Sequence, residues 1–212
     1  MVHVVLLGDS IFDNGAYVHE GEPDVVRQLR ARLPAGSQAS LCAVDGAVTR
    51  GVMRQLDRVP VDATHLVVSS GGNDALGHIG ALKDAVRSIA DALNRLADIA
   101  DGFEHDYRAM LDAVRDRGLP TALCTIYDPR YPDPLLQRLA VTALALFNDV
   151  ILRAAAARGL PIVDLRLVCD DDTDYANPIE PSAKGGEKIA QAIARLVAQH
   201  DFAKARSEVF VR

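Results

Sequence analysis

The chain has 212 residues and a formal net charge of −6, with 49% hydrophobic and 25% charged residues. This composition is typical of a globular protein and excludes a disordered chain. The length suffices for one domain with a substantial core. The negative charge argues against a nucleic-acid partner, which needs a basic surface. The first apolar run, residues 4–7, is too short for a signal peptide or a membrane span, so we expect no membrane association.

The cysteines and the absence of cofactor motifs narrow the function classes. Cys42, Cys124 and Cys169 are widely spaced and match no zinc or disulfide pattern, so we expect buried thiols and a cytoplasmic protein. No Gly-x-Gly-x-x-Gly, P-loop or His-Glu-x-x-His segment occurs, which removes support for nucleotide binding and zinc hydrolysis. The acidic residues 170–174 lack the alternating ligand spacing of a calcium loop. We therefore predict no metal and no organic cofactor.

Short apolar runs alternate with longer helical patterns along the chain. Strands are predicted at residues 3–7, 39–44, 65–69, 121–126 and 161–164, and their continuous apolarity is typical of parallel strands covered on both faces. Helices are predicted at residues 22–33, 49–59, 80–117, 134–158 and 183–199, and Gly102 is expected to bend or divide the longest one. The repeated βα units predict one domain over residues 1–212. Its fold class is α/β, doubly wound and flavodoxin-like, with a parallel sheet of about five strands and helices on both faces.

Polar, glycine-rich segments follow three predicted strands, at the edge where such sheets bind ligands. An apolar run that ends in a serine, here Ser10, is typical of a strand that presents a nucleophile, although Gly-Asp-Ser is also a common helix-capping turn. Gly46 follows the second strand and allows close backbone approach to a ligand. Asn73 follows the third strand, where its amide could stabilise an oxyanion or cap a helix. The segments are Gly8-Asp9-Ser10, Asp45-Gly46-Ala47 and Gly71-Gly72-Asn73-Asp74.

Together, these segments resemble the first three sequence blocks of the SGNH (GDSL) hydrolase family, in order, spacing and position at strand ends. The family's fourth block is Asp-x-x-His, often followed by Pro-Ser and a final helix, and here Pro181-Ser182 leads into the last predicted helix. The resemblance spans about residues 6–196. It implies a serine esterase that acts on small acyl esters through a Ser10 acyl-enzyme. It also implies an oxyanion hole made of the backbone N–H groups of Ser10 and Gly46 and the amide of Asn73.

The chain departs from the family at the fourth block. Asn177 stands at the aspartate position and Glu180 at the histidine position, and no histidine lies between His105 and His200. A neutral Asn with a charged Glu has the same net charge as a charged Asp with a neutral His, and two adjacent carboxylates would repel.

We therefore predict that Glu180 is the general base for Ser10 and that Asn177 donates a hydrogen bond that orients it. This requires burial to raise the pKa of Glu180 from about 4.3 toward about 6–7. The alternative is that Glu180 only holds its loop through hydrogen bonds to backbone N–H groups.

Other residues near the predicted strand ends are candidate substrate contacts. His78 is a candidate contact or substitute base, or else a surface residue. The proline-rich loop at residues 127–134 either lines a cleft or is a rigid connection. Two further functions stay open: a non-catalytic binding protein that keeps the cleft, and an acyltransferase that uses the same serine. The predicted substrate contacts are Asp9, Gly72, His78, Tyr127 and Arg130.

Overall fold

The computed structural model describes residues 1–211. The strands are β1 (His3–Gly8), β2 (Gln38–Leu41), β3 (His65–Ser69), β4 (Thr121–Cys124), β5 (Ile162–Val163), β6 (Tyr175–Asn177), β7 (Glu180–Pro181) and β8 (Val209–Phe210). The helices are α1 (Val25–Arg32), α2 (Thr49–Gln55), α3 (Gly72–Gly77), α4 (Ile89–Arg115), α5 (Pro134–Arg158), α6 (Leu165–Val168) and α7 (Ala183–Gln199).

Six strands form one parallel sheet in the order β2–β1–β3–β4–β5–β8, and β6 and β7 form a separate antiparallel hairpin. The first five strands have the predicted doubly wound order, in which the chain reverses direction across the sheet beside β1. The predicted α/β class and parallel sheet are confirmed. The sixth strand was missed, because β8 has only two residues and adds to β5 at the edge of the sheet.

Two apolar clusters cover the two faces of the sheet. On one face, α1 and α7 pack through residues such as Val25, Leu29 and Ile193. On the other face, α2, α4 and α5 pack through residues such as Tyr107 and Ile151. These side chains are buried, so both faces of the central strands are covered, as their continuous apolarity predicted.

The longest predicted helix differs from the structure at its start. The helix α4 begins at Ile89, where the Ser88 hydroxyl accepts a hydrogen bond from Asp91 N–H (3.1 Å), and residues Ile79–Lys83 form a 3₁₀ turn instead. Gly102 does not divide the helix, which is continuous from Ile89 to Arg115. A Cβ at Gly102 would meet no atom within 4 Å, so the glycine lies on an open side while neighbouring apolar residues hold the helix.

By length and composition alone, the helix α5 is apolar enough to span a membrane. In its most apolar stretch of 18 residues, 33% of the residues are buried. Its C-terminal half packs into the core through residues such as Phe147 and Ile151. Its N-terminal half lines the cavity described below. Both environments favour apolar side chains, which accounts for the hydropathy of this helix within the fold.

Candidate active site

Ser10 lies two residues beyond β1, at the point where the sheet order reverses. Gly8 has a φ of +132°, and a Cβ there would lie 1.7 Å from the Ser69 carbonyl oxygen, so a glycine is required for β1 and β3 to meet. The Gln55 side chain accepts a hydrogen bond from Gly8 N–H (2.8 Å) and donates one to Gly8 C=O (2.7 Å). These contacts fix the backbone from which Ser10 projects.

Asn73 is presented by the first turn of α3. The preceding Gly71 has a φ of +120°, and a Cβ there would come within 2.9 Å of the Phe103 ring. The Asn73 side-chain amide donates to the Ala47 carbonyl (3.1 Å), which leaves its second N–H hydrogen for a ligand. Asn73 is thereby tied to the loop that contains Gly46.

The hairpin β6–β7 presents Glu180, and three hydrogen bonds from other segments hold it. The Tyr127 hydroxyl donates to the Ile179 carbonyl (2.7 Å), and the Arg130 backbone N–H donates to the Pro178 carbonyl (2.7 Å). On the other side, the Asn14 amide donates to the Pro181 carbonyl (3.3 Å). The backbone around Glu180 is therefore anchored on both sides of the residue.

Glu180 is 7% exposed, and its carboxyl interacts with the Ser10 hydroxyl. Burial raises its pKa from 4.5 to about 7, the interaction with Ser10 lowers the pKa, and the negative charge of Asp45 raises it. Within residues 1–211, the Oε2 atom of Glu180 has no hydrogen-bond partner. A carboxyl with a pKa near 7 is about half ionised at neutral pH, so it can both accept and return a proton.

A second carboxyl, Asp9, directly precedes Ser10 and is 3% exposed. Burial raises its pKa from 3.8 to about 7, with smaller increases from the charges of Glu180 and Asp74, while the Ile11 N–H (3.2 Å) lowers it. Asp9 and Glu180 therefore change protonation over the same pH range.

A cavity of about 310 Å³ opens beside these groups. Seven of the predicted site residues line it: Asp9, Ser10, Gly72, Asn73, His78, Tyr127 and Glu180. The remaining wall is mostly apolar and comes from α4, α5 and the segment between α3 and α4. The proposed nucleophile, base and amide donor therefore meet at one end of an apolar cavity.

Gly46, Asn177 and Arg130 are not among the residues that line this cavity. Gly46 is exposed in the loop after β2. The exposed Asn177 accepts a hydrogen bond from Ile179 N–H (3.0 Å) through its side chain, an Asx-type turn that shapes the hairpin. The Arg130 guanidinium lies 4.9 Å from the centre of the Tyr175 ring. The assigned roles of these three residues stay predictions, and the observed contacts of Asn177 and Arg130 hold the Glu180 hairpin.

Sequence reasoning missed the residues that support the site. Asn14 is fully buried and joins α1 to the hairpin, since it also accepts from Val25 N–H (2.9 Å). The Asp74 carboxylate accepts from Thr49 N–H (2.9 Å) and from its hydroxyl (3.0 Å). The position of Asn14, four residues beyond Ser10, was the available signal, whereas Gln55 is 45 residues away in the chain and gave none.

The acidic segment at residues 170–174 is stabilised by contacts within the protein. The Asp171 carboxylate accepts from Thr173 N–H (2.8 Å), and the Lys188 ammonium lies 2.7 Å from the Asp174 carboxylate. Over residues 1–211, no group of three or more His, Cys, Asp or Glu side chains is arranged to hold a metal ion. The three cysteines are buried.

A parallel α/β sheet with a serine and an amide donor at its switch point and a final hairpin beside them is the architecture of an SGNH-type hydrolase. The sequence pattern of the GDSL-like Lipase/Acylhydrolase family matches residues 6–188, and the chain belongs to that family. No curated protein sequence matches the chain at a significant level. Family membership supports an ester hydrolase in general terms.

Solved structures share the fold at low sequence identity. The lipase Lip_vut3 from a goat rumen metagenome is 18% identical, with a TM-score of 0.71 over 94% of this chain and 98% of that one. A phospholipase A1 from Streptomyces albidoflavus is 17% identical, with a TM-score of 0.66 over 94% and 99%. The carbohydrate acetylesterase Est24 from Sinorhizobium meliloti is 15% identical, with a TM-score of 0.62 over 93% and 99%. Their different names show that this fold serves several ester substrates.

Proposed function

We propose that the protein hydrolyses carboxylic esters through an acyl-enzyme on Ser10, with Glu180 as the general base. The observation that carries this proposal is the buried carboxyl of Glu180 in the same cavity as the Ser10 hydroxyl, which interacts with it, and the rise of its pKa to about 7. A serine hydroxyl is a poor nucleophile until a neighbouring base removes its proton. In this proposal, Glu180 is the base that accepts the proton.

The raised pKa offsets the weakness of glutamate as a base. An ordinary glutamic acid is about two pKa units more acidic than histidine, which corresponds to about 3 kcal/mol of proton affinity. With a pKa of about 7, Glu180 binds a proton as tightly as an ordinary histidine, whose pKa is about 6.5. The exchange of histidine for glutamate is therefore compatible with base catalysis near neutral pH.

The reaction begins when Glu180 takes the hydroxyl proton and the Ser10 oxygen bonds to the ester carbonyl carbon. The carbonyl oxygen becomes an oxyanion, stabilised by the free N–H of Asn73 and, in our assignment, by the backbone N–H groups of Ser10 and Gly46. Each such donor contributes about 3–4 kcal/mol. Protonated Glu180 then returns its proton to the leaving alcohol oxygen as the carbon–oxygen bond breaks. Water attacks the acyl-enzyme by the same proton transfers and releases the acid.

The test is covalent labelling by a fluorophosphonate, followed as intact mass. We expect one adduct per chain on the wild-type protein and none on Ser10→Ala. The matched control is Ser70→Ala, because Ser70 is a buried serine that lines the same cavity. The Ser70→Ala variant should still form one adduct per chain. Absence of wild-type labelling from about pH 5 to pH 9 would refute an activated serine and favour a non-catalytic binding protein. Added alcohols, with product analysis, separate a hydrolase from an acyltransferase.

A further inference from the structure

The cavity beside Ser10 extends between two long helices. The helices α4 and α5 are in contact near their middles, where the Phe103 and Phe147 ring centres are 4.8 Å apart. Toward their N-termini, the facing sides of both helices line the cavity instead. On α4 the lining residues include Ala92, Leu96 and Ile99, and on α5 they include Ala140, Ala143 and Phe147. Both sets recur at helical spacing, so each helix contributes one continuous apolar face.

The segment between α3 and α4 covers the third side of this cavity. Ile79, Leu82 and Val86 line it, and an ion pair between Asp84 and Arg95 (3.7 Å) ties the segment to α4. Leu82 is partly buried, although its neighbours are exposed. The cavity is therefore lined on three sides mostly by aliphatic and aromatic side chains, with the paired Asp84 and Arg95 also in the lining, and it meets the polar groups at the Ser10 end.

The dimensions of the cavity set the length of a chain that it can hold. From the first to the last lining residue, each helix advances seven positions, which is about 10.5 Å at the ~1.5 Å rise of an α-helix. An extended alkyl chain advances about 1.25 Å per carbon, given C–C bonds of ~1.5 Å at ~111°, so about eight carbons span that length. The volume of about 310 Å³ equals the liquid volume of about ten waters. An acetyl group would leave most of this cavity unfilled.

The polarity around Glu180 indicates which part of the ester enters the cavity. Glu180 returns its proton to the leaving alcohol, so the alcohol must lie on the Glu180 side. The charge of Asp45 acts on Glu180, and the Tyr17 hydroxyl donates to the Asp45 carboxylate (2.8 Å). That side is polar and open to solvent, with Asp45 exposed and Tyr17 partly so. Asp45 and Tyr17 are not among the residues that line the cavity, so the alcohol would extend past Glu180 toward Asp45 and the acyl group into the apolar part of the cavity.

We propose that the cavity between α4, α5 and residues 79–86 binds the acyl chain of the substrate, and that it selects chains of about eight carbons over acetyl. This inference rests on the proposed ester hydrolysis. It assigns the length preference to the alanines of α5, because their small side chains leave the cavity open. A bulky residue at Ala143 would fill it from the side.

The test is a series of p-nitrophenyl esters with acyl chains of two, four, eight and twelve carbons. Since each fully buried methylene is worth about fourfold in affinity, we expect kcat/KM to rise at least about tenfold from two to eight carbons. We expect no further increase in kcat/KM from eight to twelve carbons. Ala143→Phe should reduce the preference for eight over two carbons by about tenfold or more. The matched control is Ala145→Phe, since Ala145 is exposed on the same helix, and it should keep the wild-type preference.

Two further measurements separate the inference from the proposed function. Binding of ethyl octanoate and ethyl acetate to Ser10→Ala is measured by calorimetry, and we expect octanoate ester binding alone. If that binding occurs but wild type hydrolyses no ester, the hydrolase proposal fails and the cavity assignment stands. A second ester series holds the acyl group at acetyl and lengthens the alcohol. If acetyl is the best acyl group, or if only the alcohol series shows a length preference, the acyl-chain inference is wrong.

Discussion

Replacing Glu180 by glutamine should reduce catalysis and stabilise the folded protein at the same time. Glutamine has nearly the shape of glutamate but accepts no proton at neutral pH, so Glu180→Gln removes the proposed base. General bases typically contribute about 10²–10⁴-fold to rate, and we expect a loss of kcat in that range. We expect KM to change little, because the cavity remains intact.

The stability gain follows from the raised pKa. The folded protein holds the Glu180 proton more tightly than the unfolded chain, so wild-type stability falls as pH rises from about 4.5 to about 7 and is level above that. The difference of about 2.5 between these pKa values corresponds to about 3 kcal/mol, and to about half of that once solvent at the cavity mouth screens the charge. The Glu180→Gln variant does not lose stability in this way as pH rises. It should therefore be more stable than wild type above pH 7 and similar to it near pH 4.5.

Two measurements check this prediction. The first is kcat/KM against pH, which for wild type should rise through about pH 7 because the base acts when ionised, and which should lose that step in Glu180→Gln. The second is urea unfolding at about pH 5 and pH 8.5. The control is Glu20→Gln, since Glu20 is exposed and should change neither. If Glu180→Gln keeps the wild-type rate and the same step near pH 7, Glu180 is not the base.

Two further substitutions probe the neighbours of Ser10. Asn73→Ala should lower kcat by about 10²–10³ with a small change in KM, because in the proposed mechanism the amide acts on the oxyanion. Steady-state kinetics on one ester measures the effects on kcat and on KM separately. An effect confined to KM would show that Asn73 is not part of the oxyanion hole. Asp9→Asn should raise the free energy of unfolding at pH 8.5, by up to about 4 kcal/mol, because the Asp9 pKa rises from 3.8 to about 7 on folding. Urea unfolding at low and high pH measures this change in the free energy of unfolding. An equal increase at both pH values would show that the raised pKa of Asp9 is not its cause.

The sequence predicted those parts of the protein that local patterns determine. The apolar runs gave five of the six parallel strands, and the residues after β1 and β3 placed Ser10 and Asn73 at the same cavity. The start of α4 was wrong because the apolar spacing of residues 80–88 continues that of the helix. In the structure those residues cover a cavity, which also requires apolar side chains.

The parts that escaped prediction depend on contacts between distant segments. Gln55 holds Gly8 across 47 positions, and Asn14 holds Pro181 across 167 positions. The spacing of apolar residues along the sequence does not indicate such pairs. Arg130 was predicted as a substrate contact because its loop lies at a strand end, yet its backbone N–H holds Pro178. A position at the correct edge of the sheet therefore does not by itself distinguish a residue that lines the cavity from one that supports it.

Under the proposed mechanism, with Glu180 as the base, the contacts of Asn177 give a physical reason why the aspartate of the usual block is not needed. A catalytic imidazole has two different nitrogens, and a carboxylate partner is needed to fix its tautomer and its orientation. A carboxylate has two equivalent oxygens and no tautomer, so its orientation is the only requirement. In this protein, Tyr127, Arg130 and Asn14 anchor the hairpin around Glu180, while Asn177 bonds within the turn. With the backbone so fixed, the proposed base needs no carboxylate partner at position 177, where the side chain serves the turn by accepting from Ile179 N–H.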